Sequence, residues 1–399
     1  MQKRVLFLGA AYAQVPIIQE AKNRGWYIIT CDYLPDNPGH KLANEYYNIS
    51  TTDFQGVLDL AKKVNPDFVI AYASDPAAPT AAYVSEQLGL PGNSYKSVQL
   101  LSEKDLFRKF LSDNGFNTPK SVSILDENDF EKVTSLSFPI IIKPTDSSGS
   151  KGITRVDFSS EIKAAVEYAL SFSRNKRAIA EEYIDNSLGD IHGDGFVVDG
   201  KLAFSYLGDH IYNTKSNIYN PCGTTWPSKI NDKAISQLEQ EINRLIHLTG
   251  FSNGPINIEA RINNDGKTYI MEIGPRSGGH FVPQAIKYGT GFNMVNAILD
   301  SYISSKIIVP KKNNQTSAYY ALHSDEEGVL KSIEIKKELN PFIKEFHQYI
   351  HHGEKVYSFH GANAAIGVLL LLFNSQNEMD YYIENMNKFV EIKIDTSLL

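Results

Sequence analysis

The chain has 399 residues, 42% hydrophobic and 21% charged, which is an ordinary globular composition with enough apolar material for two or three domain cores. A net charge of −7 with no long single-sign run argues against broad electrostatic binding to nucleic acid or an anionic membrane, and favours small ligands. The two cysteines, Cys31 and Cys222, lie far apart without CxxC spacing, so neither a disulfide framework nor a zinc site is indicated and a reducing, cytoplasmic compartment fits.

Lys3-Arg4 followed by the run Val5 to Ala13 has the look of a short signal peptide with an Ala-x-Ala end. It reads better as a buried strand, Val5 to Leu8, a small-residue turn at Gly9, and a helix carrying Pro16 in its first turn. To about residue 95, strand-like runs (Val5–Leu8, Tyr27–Thr30, Phe68–Ala71) alternate with helical segments (Ile17–Arg24, Phe54–Val64, Pro79–Leu88). That alternation predicts a doubly wound parallel sheet, with a ligand crevice at its carboxyl ends near Gly9, Asp32 and Ser74-Asp75. Gly9-Ala-Ala-Tyr is not a full GxGxxG, so a dinucleotide is not supported. Beyond Gly92-Asn-Ser, Ser97 to Asn114 predicts two short helices containing Lys104 and Arg108, and a mixed α+β region runs to about 310. From Ser317 a strand-rich, then helix-then-strand pattern predicts a compact C-terminal lobe. Its apolar run Ala365 to Phe373 is too short to span a bilayer and reads as a core strand or helix.

Four segments carry chemistry. Phe138-Pro-Ile-Ile-Ile-Lys143-Pro144 is a buried strand ending in a lysine, followed by Thr145-Asp-Ser-Ser148-Gly149-Ser150-Lys151-Gly152. A strand-end lysine beside a Gly/Ser loop rich in free N–H groups suits a polyphosphate, although taken alone the loop reads more readily as a plain turn with a solvated lysine. It is not a Walker A loop. Ala178-Ile-Ala-Glu181-Glu182-Tyr183-Ile184 reads either as an edge presenting backbone groups to an adenine, with a carboxylate for a ribose hydroxyl, or as a strand ending at the surface. The polar and aromatic stretches Gly208 to Lys215, with His210, and Tyr219 to Pro227 have the makeup of a loop lining an acceptor pocket. Gly278-Gly279-His280 could reach the same space.

The fourth segment is Asn257-Ile-Glu259-Ala-Arg261, an Asn-Asp-Gly turn, then Ile270-Met-Glu272-Ile-Gly274-Pro-Arg276. A two-residue turn at Asp265-Gly266 sets Glu259 opposite Glu272 and Asn257 opposite position 274. Alternation places Ile256, Ile258, Ala260 and Ile262 with Tyr269, Met271 and Ile273 on a core face, leaving the acids on the other. Cross-strand Cβ atoms about 4.5–5.5 Å apart bring two negative charges together unless a cation or proton intervenes. With carboxylate, amide and water oxygens on offer and no local His or Cys, the ion would be hard: Mg²⁺ or Mn²⁺. A solvated Glu ladder is the alternative.

In this order and spacing, a lysine ahead of one lobe, IIIKP with its Gly/Ser loop, EEYI, ExR and MEIGPR resemble the ATP-grasp superfamily of ligases. The resemblance covers nearly the whole chain. The doubly wound N-terminal region is similar to the domain preceding the grasp in biotin carboxylase, purine-synthesis carboxylases and L-amino acid ligases. The implied fold is α/β and α+β: a doubly wound pre-ATP-grasp domain over 1–95, a two-lobed ATP-grasp domain over 96–310 with a mobile nucleotide lobe at about 116–185, and a C-terminal lobe over 311–399. The resemblance implies ATP and Mg²⁺ (or Mn²⁺). Lys104 and Lys143 would contact phosphates, Ser148 to Gly152 would close over them, and Glu181, Glu182, Tyr183 and Ile184 would form the adenine hinge. Glu259 and Glu272 would hold the metal, with Glu272 bridging, and Arg276 would steady the transferred phosphoryl group or the carboxylate substrate.

Two positions depart from that pattern. Asp190 stands where the family has a longer acid, and Gly274 stands where the metal motif has an amide. The hairpin register offers Asn257 as the replacement ligand. The implied activity is ADP-forming carboxylate–amine ligation through an acyl phosphate on an amino acid or other small carboxylate. A carboxylase-like enzyme activating bicarbonate and a nucleotide-binding protein with weakened catalysis are the alternatives. The chain carries no biotinyl-acceptor Met-Lys-Met. The expected partners are small carboxylate and amine substrates, with a homodimer left open and no nucleic acid or membrane.

Overall fold

The first three strands predicted from the sequence form a parallel sheet, joined by a fourth that its sequence does not announce. In the computed structural model, which describes residues 2–212, 215–311 and 315–398, the spatial order is Glu45–Tyr47, Tyr27–Cys31, Arg4–Leu8, Phe68–Ala71. Glu45–Tyr47 is short and polar because it is an edge, and its Glu45 carboxylate accepts from the Tyr27 and Tyr47 hydroxyls at 2.8 and 2.6 Å. Helices Val15–Asn23, Phe54–Val64 and Ala78–Leu88 cover this sheet. The helix Phe54–Val64 starts where Asp53 accepts from Gly56 N–H, and it stops at Asn65, whose φ of 47° is left-handed.

Of the crevice expected near Gly9, Asp32 and Ser74-Asp75, the part at Gly9 and Asp32 is filled, while Ala11 to Gln14 and Asp75 line a cavity at the same strand ends. Asp32 is buried, and its carboxylate accepts from Ala10 N–H at 3.2 Å, Leu34 N–H at 3.1 Å and Asn37 Nδ2 at 2.8 Å. Gly39 sits so near Ala10 that a β-carbon there would meet the Ala10 carbonyl at 2.8 Å. Asp32 therefore ties the loop after the first strand to the loop after the second.

A small antiparallel sheet follows, ordered Ser121–Ile124, Ala178–Glu182, Ile140–Pro144, Thr154–Val156. The helix Ile162–Phe172 covers it, and Ile140, Ile142, Val166, Ala178 and Ala180 form a core of their own. Ala178–Glu182 is interior rather than an edge: Glu181 pairs with Ser121 on one side and Ile141 on the other.

An eight-stranded antiparallel sheet carries the rest, in the order Thr268–Gly274, Gly254–Ile262, Gly189–Val198, Lys201–Ile211, Gly223–Trp226, Thr316–Leu322, Gly367–Phe373, Ile343–Gln348. The run Ala365 to Phe373 is thus a core strand, Gly367–Phe373, buried along nearly its whole length. It pairs with Thr316–Leu322, which pairs with Gly223–Trp226, so strands from both sides of position 310 share one sheet. A three-stranded sheet, Lys355–Val356, Gly328–Ile335, Val390–Asp395, completes the fold. Among the described residues no helix is long and apolar enough to cross a membrane.

Candidate active site

The hairpin brings its two acids together by a different route from the symmetric turn. Asn263 N–H donates to the Lys267 carbonyl at 3.1 Å, Gly266 N–H donates to the Asn263 carbonyl at 2.9 Å, and Gly266 has a φ of +73°. The loop therefore holds three residues, with Gly at the left-handed position. Ile262 pairs with Thr268 and Ala260 with Ile270, and then Glu259 pairs with Glu272 across a bulge that leaves Met271 extra. The longer loop and the bulge cancel. They do move one side chain: Ile270 takes the core place expected of Met271, and Met271 lines the cavity instead.

That cavity has a volume of about 810 Å³, within the range of small-ligand sites, and lies between the small sheet and the large one. Burial and the facing Glu272 push Glu259 up to about 7. On the other acid, Glu272 Oε2 lies 2.9 Å from Lys104 Nζ, which also donates to the Ser147 carbonyl at 3.0 Å. Burial would lower the Lys104 ammonium, but Glu272, Asp75 and Glu259 outweigh it and raise it above its ordinary value. Lys104 opens the helix Lys104–Asp113, and Arg108, one turn on, is buried behind the cavity wall.

Arg108 had no assigned role, and Glu181 was expected to hold adenine or ribose. Glu181 lines the cavity and is buried with Arg108 Nε at 2.8 Å, poorly aligned for a hydrogen bond, and Lys143 Nζ at 2.7 Å. Arg108 also donates to the Met271 carbonyl at 2.7 Å, so it ties Glu181 of the small sheet to the hairpin that carries Glu259 and Glu272. Burial alone would raise the Glu181 carboxyl, yet the two cations hold it down at about 2, while burial lowers Lys143. The neighbouring Glu182 accepts from Ser137 N–H at 2.9 Å, and Tyr183 N–H donates to the Pro139 carbonyl. Glu182, Tyr183 and Ile184 all line the cavity.

Ser148, Gly149, Ser150 and Lys151 line the same space, with Gly149 at φ +69° and Ser150 at φ +58°. Ser150 Oγ donates to the Tyr219 carbonyl at 2.9 Å, which seats this loop on the large lobe. Gly152 does not line the cavity; its left-handed turn packs on Phe172 and Pro144. Arg276 is present and held bidentate by Asp75, at 2.6 and 2.5 Å. Asp190 lines the wall too, accepting from Tyr212 Oη at 2.7 Å and Asn186 Nδ2 at 2.9 Å.

Some expected residues fall elsewhere. Ser74 does not line the cavity, and Lys215, exposed, lines a separate one of about 510 Å³, where its N–H donates to Asp325. Gly278 lies beneath the wall, its N–H donating to Asp194, while Gly279, His280 and His210 line it. The strand Gly189–Val198 adds two residues that were not singled out. His192 lies 3.1 Å from Asn257 Nδ2, and the fully buried Asp194 accepts from the same nitrogen at 2.8 Å. Burial pushes Asp194 up to about 6. The supposition of no local His fails in space, although the signal was in the chain: Asp190, His192 and Asp194 alternate on one face of a strand. Asn257 spends its nitrogen on Asp194, His192 and the Gly193 carbonyl.

Residues 136–284 match the model of the ATP-grasp domain. The L-amino acid ligase of Bacillus licheniformis superposes with a TM-score of 0.83 at 21% identity, covering 99% of both chains. The fold is the ATP-grasp fold. A second ATP-grasp neighbour is the biotin carboxylase domain of a 2-oxoglutarate carboxylase from Hydrogenobacter thermophilus, in complex with MgADP and bicarbonate, with a TM-score of 0.77 at 14% identity, covering 99% of this chain and 91% of that one. By sequence, the carbamoyl phosphate synthase large chain of Pseudothermotoga lettingae is 24% identical over 331 residues, 80% of this chain. The chain spans 28% of that relative's length, and 56% and 61% of two further curated relatives.

Proposed function

We propose that the chain is an ATP-dependent, ADP-forming carboxylate–amine ligase acting through an acyl phosphate, on an amino acid or other small carboxylate. The observation that carries this reading is the facing pair Glu259 and Glu272, with Lys104 on one oxygen, opening into a cavity that Lys143, the Ser148–Lys151 loop and Arg276 also line. The names of its structural neighbours, an amino acid ligase and a carboxylase domain holding MgADP, support it.

No group of three or more His, Cys, Asp or Glu able to hold a metal occurs among the described residues. Two carboxylates with an amide nevertheless fit Mg²⁺, which is bound by one or two protein carboxylates together with phosphates. Burial, with Glu272 facing it, raises the Glu259 carboxyl, and a divalent cation on the pair would favour its ionised form. Glu259, Glu272 and the Asn257 oxygen would hold Mg²⁺, which would supply neutralising charge to the phosphates.

A carboxylate is a poor electrophile. Its oxygen attacks the γ-phosphorus and ADP leaves; an amine nitrogen then attacks the acyl carbon, the C–O bond to phosphate breaks, and inorganic phosphate departs with the amine proton lost. Lys104 and Lys143 offset the charge of the transferring group, and Asp75 fixes the plane of Arg276 against it. The Ser148–Lys151 loop, seated on Tyr219, keeps water from the acyl phosphate.

The test is ADP and phosphate release with ATP and Mg²⁺ over pooled amino acids, small carboxylates and bicarbonate, with hydroxylamine as a trap. A hydroxamate is expected, and Glu259→Gln should lower Mg²⁺-dependent ADP release by about 100-fold or more. Tight ATP binding with no substrate-dependent ADP release in any pool would sink the reading. Unchanged Mg²⁺ dependence in Asn257→Ala would remove Asn257 from the metal set.

A further inference from the structure

Resting on the ligase reading, we propose that one end of the cavity is a side-chain subsite for the acid substrate, built to take an uncharged planar ring with a hydrogen-bonding edge. Six rings line the cavity in two groups, Tyr12 with Tyr349, and Tyr319 with His280, His192 and His210. Tyr12 lies on Tyr349 at 4.7 Å between centroids. His280 stacks on Tyr319 at 5.7 Å, His192 meets Tyr319 edge-on at 6.4 Å, and His192 stacks on His210 at 4.4 Å. Aromatic faces favour another ring in offset-stacked or edge-to-face contact.

Two polar atoms here are fully buried and lack a partner among the described residues: Gln14 Oε1 and His280 Nε2. Both side chains line the cavity, and Gln14 is fixed by its own Nε2 donating to the Tyr72 carbonyl at 3.1 Å. A buried polar atom without a partner is costly, so a ligand bearing a complementary polar edge is favoured over one lacking it. Near the wall Arg276 is matched by Asp75 and Asp190 by Arg261, while Asp194, behind His192, accepts among the described residues only from Asn257 and the Gly278 N–H. An anionic side chain would find no unmatched cation among the described residues at this end.

The backbone supports a purpose for His280. His280 and Phe281 are consecutive non-glycine residues at φ +49° and +60°, directly after Gly278-Gly279. A β-carbon disfavours that conformation, and residues held in it cluster at ligand clamps. Here the Phe281 ring stacked on His347 at 3.7 Å anchors the turn while the His280 ring faces the cavity. Burial pushes the His280 imidazole down to about 4, consistent with a neutral hydrogen-bonding group at pH 7.

The experiment measures kcat/KM for hydroxamate formation from L-tyrosine, L-histidine, L-phenylalanine, L-leucine, L-lysine and L-glutamate with the full chain. In parallel, binding of each acid in the presence of Mg²⁺ and ADP is measured by equilibrium dialysis. Tyrosine or histidine should exceed leucine, lysine and glutamate by about tenfold or more. His280→Leu should collapse the tyrosine-to-phenylalanine ratio about tenfold, mainly through KM, and Tyr349→Leu should weaken all three ring-bearing acids relative to leucine. A preference for leucine, lysine or glutamate would overturn the subsite. Ring-bearing acids that bind without ADP release would keep the subsite and sink the ligase reading, whereas neither binding nor release would sink both.

Discussion

Glu181 is a buried carboxylate between two cations, and that placement makes it testable through stability as well as turnover. Arg108→Met would leave Glu181 with Lys143 alone and would strip the Met271 carbonyl of its donor. Breaking one side of a buried ion network costs about 3–5 kcal/mol, to be read from urea unfolding; a loss under about 1 kcal/mol would show that Arg108 is dispensable. The pH dependence follows from the depressed carboxyl. Its folded value of about 2 lies below its ordinary 4.5, so the stability it contributes is complete above pH 4.5 and is lost as pH falls through about 2. Unfolding free energy should therefore fall across that window, and Glu181→Gln should flatten it.

The hairpin Gly254–Ile262 and Thr268–Gly274 shows how an element can reach the expected pairing by unexpected means. Alternation and an Asn-Asp-Gly turn made the facing acids legible. A three-residue loop and a bulge are not, because both depend on how Met271 and Ile270 share the space between the core and Arg108. Gly266 tests the loop. Its φ is +73° and a β-carbon would meet nothing within 4 Å, so Gly266→Ala should cost backbone strain alone, about 1–2 kcal/mol in unfolding. The KM for ATP should stay the same; a large change in KM with no loss of stability would contradict this geometry. The doubly wound sheet was legible for the same reason as the hairpin, through apolar runs of strand length, whereas Glu45–Tyr47 was hidden by being polar at an edge.

Across the whole molecule, the site is assembled from segments that meet only in the folded chain. Asp75, after the last strand of the N-terminal sheet, holds Arg276 from 201 residues away, and Arg24 similarly reaches Asp300. A double-mutant cycle of Asp75→Asn and Arg276→Lys, read in kcat/KM, should give a coupling of about 0.5–3 kcal/mol; additive effects would mean that the pair does not act as a unit. The sequence alone determined the class of fold, the lysine-and-loop cradle and the facing acids, because strand period and turn chemistry are local properties of the chain. Only the tertiary structure decided that Asp32 is a loop tie, that Lys215 faces another cavity, that Glu181 serves Arg108, and that His192 and Asp194 stand beside Asn257. Those outcomes depend on which strands become neighbours in a sheet and which charges burial forces to pair, and neither is set by residues near one another in the chain.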